Sequence, residues 1–201
     1  MSIQACLNAL RTDRVVAFPT DTYFALSCDP FSGPALSLLR EFKEIGPDRP
    51  LPLLIPPGFD CARIGCVLSE SASRLASQFW PGKLTLVVPC EGPLARTVGC
   101  PPDFGVGLRV PEGNWLSDLL RAFDGPLVGT SANRTGLPPA TSAEEVRRYF
   151  TLDQVVAFAG TSPGGPPSTV ISLTADGPVV LREGAIPTAA LMHTWKLGKF
   201  A

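Results

Sequence analysis

The chain has 201 residues, enough for one sizeable core, and is 45% apolar and only 17% charged, with 22 Pro, 19 Gly and a single His. Low charge with abundant apolar residues excludes disorder, and a net charge of −1 from 17 basic and 18 acidic residues supplies no basic excess for a nucleic-acid partner. The lone His193, near the C-terminus, excludes a two-histidine metal site and leaves no central imidazole for a nucleophilic triad.

In chain order, Ser2 caps a short helix whose Ile3, Leu7 and Leu10 share a face. The apolar VVAF (15–18) is a strand ended by Pro19. Ser32 caps a helix with Pro34 in its first turn and Ala35, Leu38, Leu39 and Phe42 on its apolar face. LPLLI (51–55) is a strand in which Pro52 predicts an edge position or a late start. Ser69 opens a helix carrying Ala72, Leu75, Ala76 and Phe79, stopped at Trp80-Pro81-Gly82. LTLVV (84–88) and VGLRV (106–110) are strands. Asn114 caps a helix with Trp115, Leu119, Leu120 and Phe123, and LVGT (127–130) is a short strand. Ser142 and Glu145 form a capping box for a helix reaching about Tyr149. VVAFA (155–159), TVISL (169–173) and VVL (179–181) complete the strands, with one more helical turn expected after Ala185.

Strands alternating with helices imply an α/β domain, and strands apolar on both parities imply a sheet covered on both faces. The expectation is a single domain over 1–201 built on a twisted, largely parallel mixed sheet with flanking helices. The six cysteines (Cys6, Cys28, Cys61, Cys66, Cys90 and Cys100) form no CxxC and read as reduced thiols that fill the core. The N-terminus lacks a signal-peptide pattern and no apolar run nears the ~18 residues of a membrane span, so a cytoplasmic protein without membrane association is expected. Arg147-Arg148 is the densest basic pair, and Glu144 and Glu145 beside it make a solvated helix face.

No GxGxxG or GxxxxGK[ST] occurs; the nearest glycine-rich stretch is TSPGGPPST (161–169), whose prolines cannot donate to a phosphate. Polar residues instead gather at strand ends: Thr20, Asp21 and Thr22 after VVAF, Thr130, Ser131 and Asn133 after LVG, Ser168 and Thr169 before VISL, and Arg182 after VVL. Strand ends of open α/β sheets are where ligands bind. With Lys43 and Arg109 these residues predict a polar cleft for carboxylate and phosphate.

These segments resemble the YrdC/Sua5 family of threonylcarbamoyl-AMP synthases. FPTDT (18–22), Lys43, FWPGKLTLVV (79–88), VGLRVP (106–111), GTSANRTGLPP (129–139), PSTVISL (167–173) and LREGAI (181–186) are similar to the family's motifs and follow its order. The resemblance implies a concave, positively charged cavity in a sheet flanked by helices. It also implies a nucleotidyltransferase reaction in which L-threonine, bicarbonate and ATP give threonylcarbamoyl-AMP and pyrophosphate. Partner proteins would then transfer the threonylcarbamoyl group to adenosine 37 of tRNA. Thr22, Arg109, Gly129 and Ser168 would surround threonine, with Arg109 in a bidentate carboxylate contact. Lys43 would stand near bicarbonate and the phosphates. Ser131, Asn133 and Arg182 would contact ATP, and Pro139 would line the nucleotide pocket. Mg²⁺ would come with the ATP phosphates, since the sequence offers no carboxylate cluster for a protein metal site.

The chain departs from the family pattern at Tyr23-Phe24-Ala25-Leu26, where a tyrosine is displaced by one position and a glycine is filled. It departs again at Ile45, which replaces the arginine of the family's KxR element. Arg49 stands four residues further on and is expected to share the catalytic role with Lys43. An uncompensated loss of that charge would cost about 2–4 kcal/mol of transition-state stabilisation. The alternative class is a catalytically weakened paralogue that binds nucleotide or RNA. Double-stranded RNA binding has no basic stripe here to rest on, so weak or no direct nucleic-acid binding is expected. Carbamoyltransferases of hydrogenase maturation carry a similar domain but are much longer. The archaeal and yeast synthases add a second, C-terminal domain that is not expected here.

Overall fold

The structure is a computed structural model and describes residues 2–101, 104–174 and 177–197. Its helices are α1 (Ile3–Arg11), α2 (Gly33–Lys43), α3 (Glu70–Phe79), α4 (Pro93–Thr97), α5 (Asn114–Phe123), α6 (Ala143–Tyr149) and α7 (Thr188–Leu197), with a 3₁₀ turn at Cys61–Ile64. Its strands are β1 (Val15–Phe18), β2 (Ala25–Ser27), β3 (Leu53–Leu54), β4 (Leu84–Val88), β5 (Val106–Arg109), β6 (Leu127–Val128), β7 (Thr130–Ser131), β8 (Val155–Ala157), β9 (Thr169–Thr174) and β10 (Gly177–Arg182). No helix among the described residues is long and apolar enough to cross a membrane.

The serine caps form as predicted: Ser2, Ser32, Ser69 and Ser142 each accept from a backbone N–H three residues on. Each thereby satisfies one orphan donor of its helix. Two caps differ from expectation. Asn114 lies inside α5, whose cap is Gly113 at φ 125° with no side-chain hydrogen bond. The Glu145 carboxylate reaches past Ser142 to the backbone N–H of Thr141 at 2.6 Å, one residue beyond the reciprocal box. The C-terminal segment is a ten-residue helix rather than a single turn.

The α/β class and mixed pairing are as expected, but the strands divide between two sheets. One runs β7-β2-β1-β8 and the other β10-β9-β4-β5-β3-β6. Parallel pairing is less extensive than the alternation of strands and helices predicts: β1–β8, β3–β5 and β4–β9 are parallel, and five other described pairings are antiparallel. β1–β2 and β9–β10 follow each other in the chain with no helix between them and pair antiparallel, whereas β2–β7, β3–β6 and β4–β5 pair antiparallel across intervening helices.

Side-chain alternation in β1 shows how both faces are covered. Val15 and Ala17 enter the main core with Leu26, Leu39 and Leu53. Val16 and Phe18 enter a second cluster made by Leu7 and Leu10 of α1 and Leu116, Leu119 and Leu120 of α5. All four β1 residues are fully buried. Pro52 gives β3 its late start, yet β3 is not an edge: it sits between β5 and β6.

The segment expected as one strand, LVGT, is broken at Gly129. β6 belongs to the six-stranded sheet and β7 to the four-stranded one, so the chain changes sheets within three residues. Gly129 donates its N–H to Pro52 at 2.9 Å, and a Cβ there would lie 2.4 Å from Leu54 Cγ. Leu54 is itself 4% exposed and has little room to give. Gly129→Ala is expected to lower stability by about 1–3 kcal/mol through overpacking, read as a lower urea midpoint. An unchanged midpoint would contradict this account of the crossing.

Candidate functional site

A cavity of about 840 Å³ opens between the two sheets. Its wall takes Thr130 and Ser131 from the four-stranded sheet and Thr85, Arg109 and Arg182 from the six-stranded one. Lys43, Arg49, Arg109 and Arg182 all line it, and among the described residues no carboxylate does. A second cavity of about 480 Å³, walled by Phe59, Cys66, Trp80 and Val110, gathers no cations. In a chain of net charge −1, four cations around one hollow make a local anion site.

At one end of the cavity stands Arg109, the last residue of β5 and 7% exposed. Its Nε donates to the Gly82 carbonyl at 2.8 Å, Nη2 to Asp21 Oδ1 at 2.6 Å and Nη1 to Thr22 Oγ1 at 3.4 Å. The WPGK turn and the PTDT turn therefore fix the guanidinium from opposite sides. Burial lowers the Arg109 pKa and Asp21 opposes that shift. Both partners are under a tenth exposed, so removing one alone would cost about 3–5 kcal/mol. The second Asp21 oxygen, Oδ2, is buried and has no hydrogen-bond partner. A bidentate contact from Arg109 to a carboxylate was expected, and two of the five N–H groups remain for a ligand once Gly82, Asp21 and Thr22 are served.

Beside Arg109, Arg182 donates Nη2 to the Ser168 carbonyl at 2.8 Å and to Ser168 Oγ at 3.0 Å. Ser168 Oγ lies 3.0 Å from Thr85 Oγ1. Burial lowers the Arg182 pKa, and the nearby Arg109 lowers it further. Thr22, Ser168, Arg109 and Arg182 thus share one end of the cavity, although Arg182 was expected among the ATP-contacting residues. Thr85 was missed. Its signal was a lone hydroxyl inside the apolar strand LTLVV, which is 4% exposed in the structure.

At the other end Lys43 closes α2, 6% exposed. Its ammonium donates to the carbonyls of Ser131 at 2.7 Å and Asn133 at 3.0 Å, and to Asn133 Oδ1 at 3.2 Å. Ser131 Oγ donates to the same Oδ1 at 2.7 Å. The three ammonium hydrogens are all engaged, so here Lys43 organises the 131–133 loop. Burial pushes its pKa down to about 8, and the neighbouring Arg49 adds to the shift. Arg49 therefore comes within electrostatic reach of Lys43. Arg40 holds the intervening turn by donating to the carbonyls of Gly46 at 2.7 Å and Arg49 at 3.0 Å. Ile45 lines the cavity and packs against the core. Gly129 lies on the wall, whereas Pro139 stands outside the lining, which takes Asn133, Thr135 and Gly136 from that loop and reaches no further.

The glycine- and proline-rich stretch is a strap across the PTDT turn. Ser162 Oγ accepts from Thr20 N at 3.1 Å, Gly164 N donates to the Thr22 carbonyl at 2.8 Å, and the Tyr23 hydroxyl donates to the Gly165 carbonyl. The strap leads directly into Pro167 and Ser168 on the cavity wall.

A family model described as telomere recombination (Sua5, YciO and YrdC) matches residues 8–184. Threonylcarbamoyl-AMP synthase of Pyrococcus abyssi is 32% identical over 186 residues, covering 92% of this chain and 54% of that protein. The enzyme of the same name from Shigella boydii is 32% identical over 172 residues, covering 84% of this chain and 90% of that protein. The crystal structure of P. abyssi Sua5 complexed with L-threonine superposes with a TM-score of 0.85 at 31% identity, over 96% of this chain and 56% of that one. The chain thus spans about half the length of the archaeal relative and most of the Shigella one.

The Lys43 environment has a measurable consequence. With a folded pKa near 8 and an ordinary value of about 10.4, the unfolded chain binds the extra proton between those pH values. Stability relative to a Lys43→Met variant should therefore rise from pH 8 to 10.4. The Lys43 ¹³Cε resonance should titrate with a midpoint near 8. A midpoint near 10.4 would contradict the burial and the Arg49 proximity.

Proposed function

The chain belongs to the Sua5, YciO and YrdC family, and on that premise we propose that it is an L-threonylcarbamoyladenylate synthase. The observation that carries the reading is a cavity lined by Lys43, Arg49, Arg109 and Arg182 and, among the described residues, by no carboxylate. The reaction joins three substrates that each carry an anionic group. The threonine amine attacks bicarbonate with loss of water, and the carbamate so formed attacks the α-phosphate of ATP. Pyrophosphate leaves as its P–O bond breaks, giving threonylcarbamoyl-AMP. Charge develops on phosphate oxygens, and fixed cations lower that barrier by positioning and electrostatic stabilisation. No imidazole is required.

In this reading L-threonine occupies the end formed by Thr22, Arg109, Gly129 and Ser168, its carboxylate taking the Arg109 N–H groups that face no protein acceptor. ATP extends toward Ser131, Asn133 and Lys43, and Arg182, beside Ser168 and near Arg109, serves the junction where carbamate and α-phosphate meet. Arg49 supplies the cation that Ile45 lacks; its presence in the cavity lining with Lys43 supports that role. No group of three or more His, Cys, Asp or Glu suited to a metal occurs among the described residues, and Asp21, beside the cavity, is committed to Arg109. In this reading Mg²⁺ enters with the ATP substrate. The product would pass to downstream tRNA threonylcarbamoyl transfer proteins in the cytoplasm. Direct double-stranded RNA binding has no part in the reading, because these cations face a hollow rather than an exposed stripe.

Purified protein given L-threonine, bicarbonate and ATP should yield threonylcarbamoyl-AMP and pyrophosphate by mass spectrometry, with omission of any one substrate abolishing both. Arg49→Ala should lower the rate about 10²–10³-fold, the range for a lost charge-stabilising group. Absence of the adduct with wild-type protein would contradict the proposal. Its appearance only in Ile45→Arg would identify a weakened nucleotide-binding paralogue.

A further inference from the structure

Two cysteines outside the large cavity stand opposite each other. Cys66 and Cys90 form an isolated antiparallel bridge between the segment after the 3₁₀ turn and the end of β4. The bridge's backbone hydrogen bonds come from the flanking residues: Val67 N donates to Pro89 O at 2.9 Å and Glu91 N to Gly65 O at 2.7 Å. That pattern defines a non-hydrogen-bonded pair, whose Cα atoms stand ~4.5 Å apart with side chains projecting to one face. Disulfides span Cα separations of ~4.4–6.8 Å, so the register itself brings both sulfurs within bonding range.

Gly65 holds the two segments this close. It sits at φ 73°, and a Cβ there would lie 2.0 Å from the Glu91 carbonyl oxygen. The two thiols influence each other's charge, as neighbours across the bridge should, and Cys90 Sγ donates to the Ile64 carbonyl at 3.5 Å. Access is unequal. Cys66 is 1% exposed, whereas Cys90 alone among the six cysteines is only half-buried.

We propose that Cys66 and Cys90 are a thiol–disulfide site, closed reversibly by a peroxide within the native register. The Cys90 sulfur attacks the peroxide O–O bond, giving a sulfenic acid and releasing water. The Cys66 sulfur then attacks Cys90 Sγ, forming the S–S bond as the sulfenic oxygen leaves as a second water. In sum, two thiols and one H₂O₂ give one disulfide and two H₂O. Burial favours the protonated Cys66 thiol, so it must give up its proton as it attacks, and what assigns it the resolving step is its place opposite Cys90 and its lack of access to solvent. Cys61 and Cys100, both buried and each pushed up to about 11, are the thiols it must outcompete. The bond would tie the segment that walls the second cavity to the end of β4.

Fully reduced whole protein is treated with hydrogen peroxide, free thiols are alkylated after denaturation, and a non-reducing digest is mapped by mass spectrometry. The expected result is a Cys66–Cys90 peptide pair as the main cross-link, lighter by two hydrogens, reversed by dithiothreitol and absent in Cys90→Ser. Closing a loop of roughly 25 residues should also raise Tm by about 5–10 °C in the oxidised protein. The proposal is overturned if Cys90 is recovered as sulfinic acid with Cys66 still alkylatable, if Cys90 pairs with Cys100 instead, or if the bonded protein melts below the reduced one.

Discussion

Cations around a cavity must be held without being neutralised, and here backbone carbonyls do most of the holding. Lys43 donates to the carbonyls of Ser131 and Asn133, Arg109 to Gly82 and Arg182 to Ser168. A carbonyl dipole satisfies a donor but leaves the charge in place, whereas a carboxylate would cancel it. The one acid recruited, Asp21, pairs with Arg109 from outside the cavity lining. The hollow therefore keeps its positive potential in a chain whose total charge is close to zero.

That arrangement needs carbonyls from distant segments to converge, and the two-sheet architecture supplies them. The crossing at Gly129 sets Ser131 and Asn133 above the end of α2, where Lys43 emerges. The WPGK turn brings the Gly82 carbonyl to the end of β5. The strap from Ser162 to Gly165 ties the PTDT turn to the segment carrying Ser168. Each depends on close backbone approach or a constrained turn, which is the work of the chain's many glycines and prolines. The strap's prolines interrupt none of its contacts with the PTDT turn, which run through Ser162, Gly164 and Gly165.

Much of the architecture was legible in the sequence because it rests on local signals. Serine caps, apolar helix faces and the buried strand VVAF each follow from neighbours within a few residues. The cavity residues were also placed, since polar groups at strand ends and the family motifs both point to them. What escaped was pairing at long range. Asp21 and Arg109 are 88 residues apart, and Lys43 and Asn133 are 90 apart, so no local pattern shows that one serves the other. LVGT was read as one strand because its apolar run is continuous, and only the contact with Leu54 shows that glycine is there to let the chain change sheets. Thr85 escaped because a threonine suits any strand, and its contact with Ser168 exists only in the fold.

Ile45 and Arg49 line the same cavity, and the turn between them carries Arg49 to the wall near Lys43. Arg40 fixes that turn through two carbonyls, so Arg49 reaches the cavity from a rigid base. The account stands on recognition of anions by carbonyl-held cations, and calorimetric comparison of ATP with adenosine tests it most directly. ATP should bind at least about tenfold more tightly than adenosine, with the advantage shrinking as salt screens the charges. Equal affinities for the two ligands, or an ATP preference insensitive to salt, would contradict it.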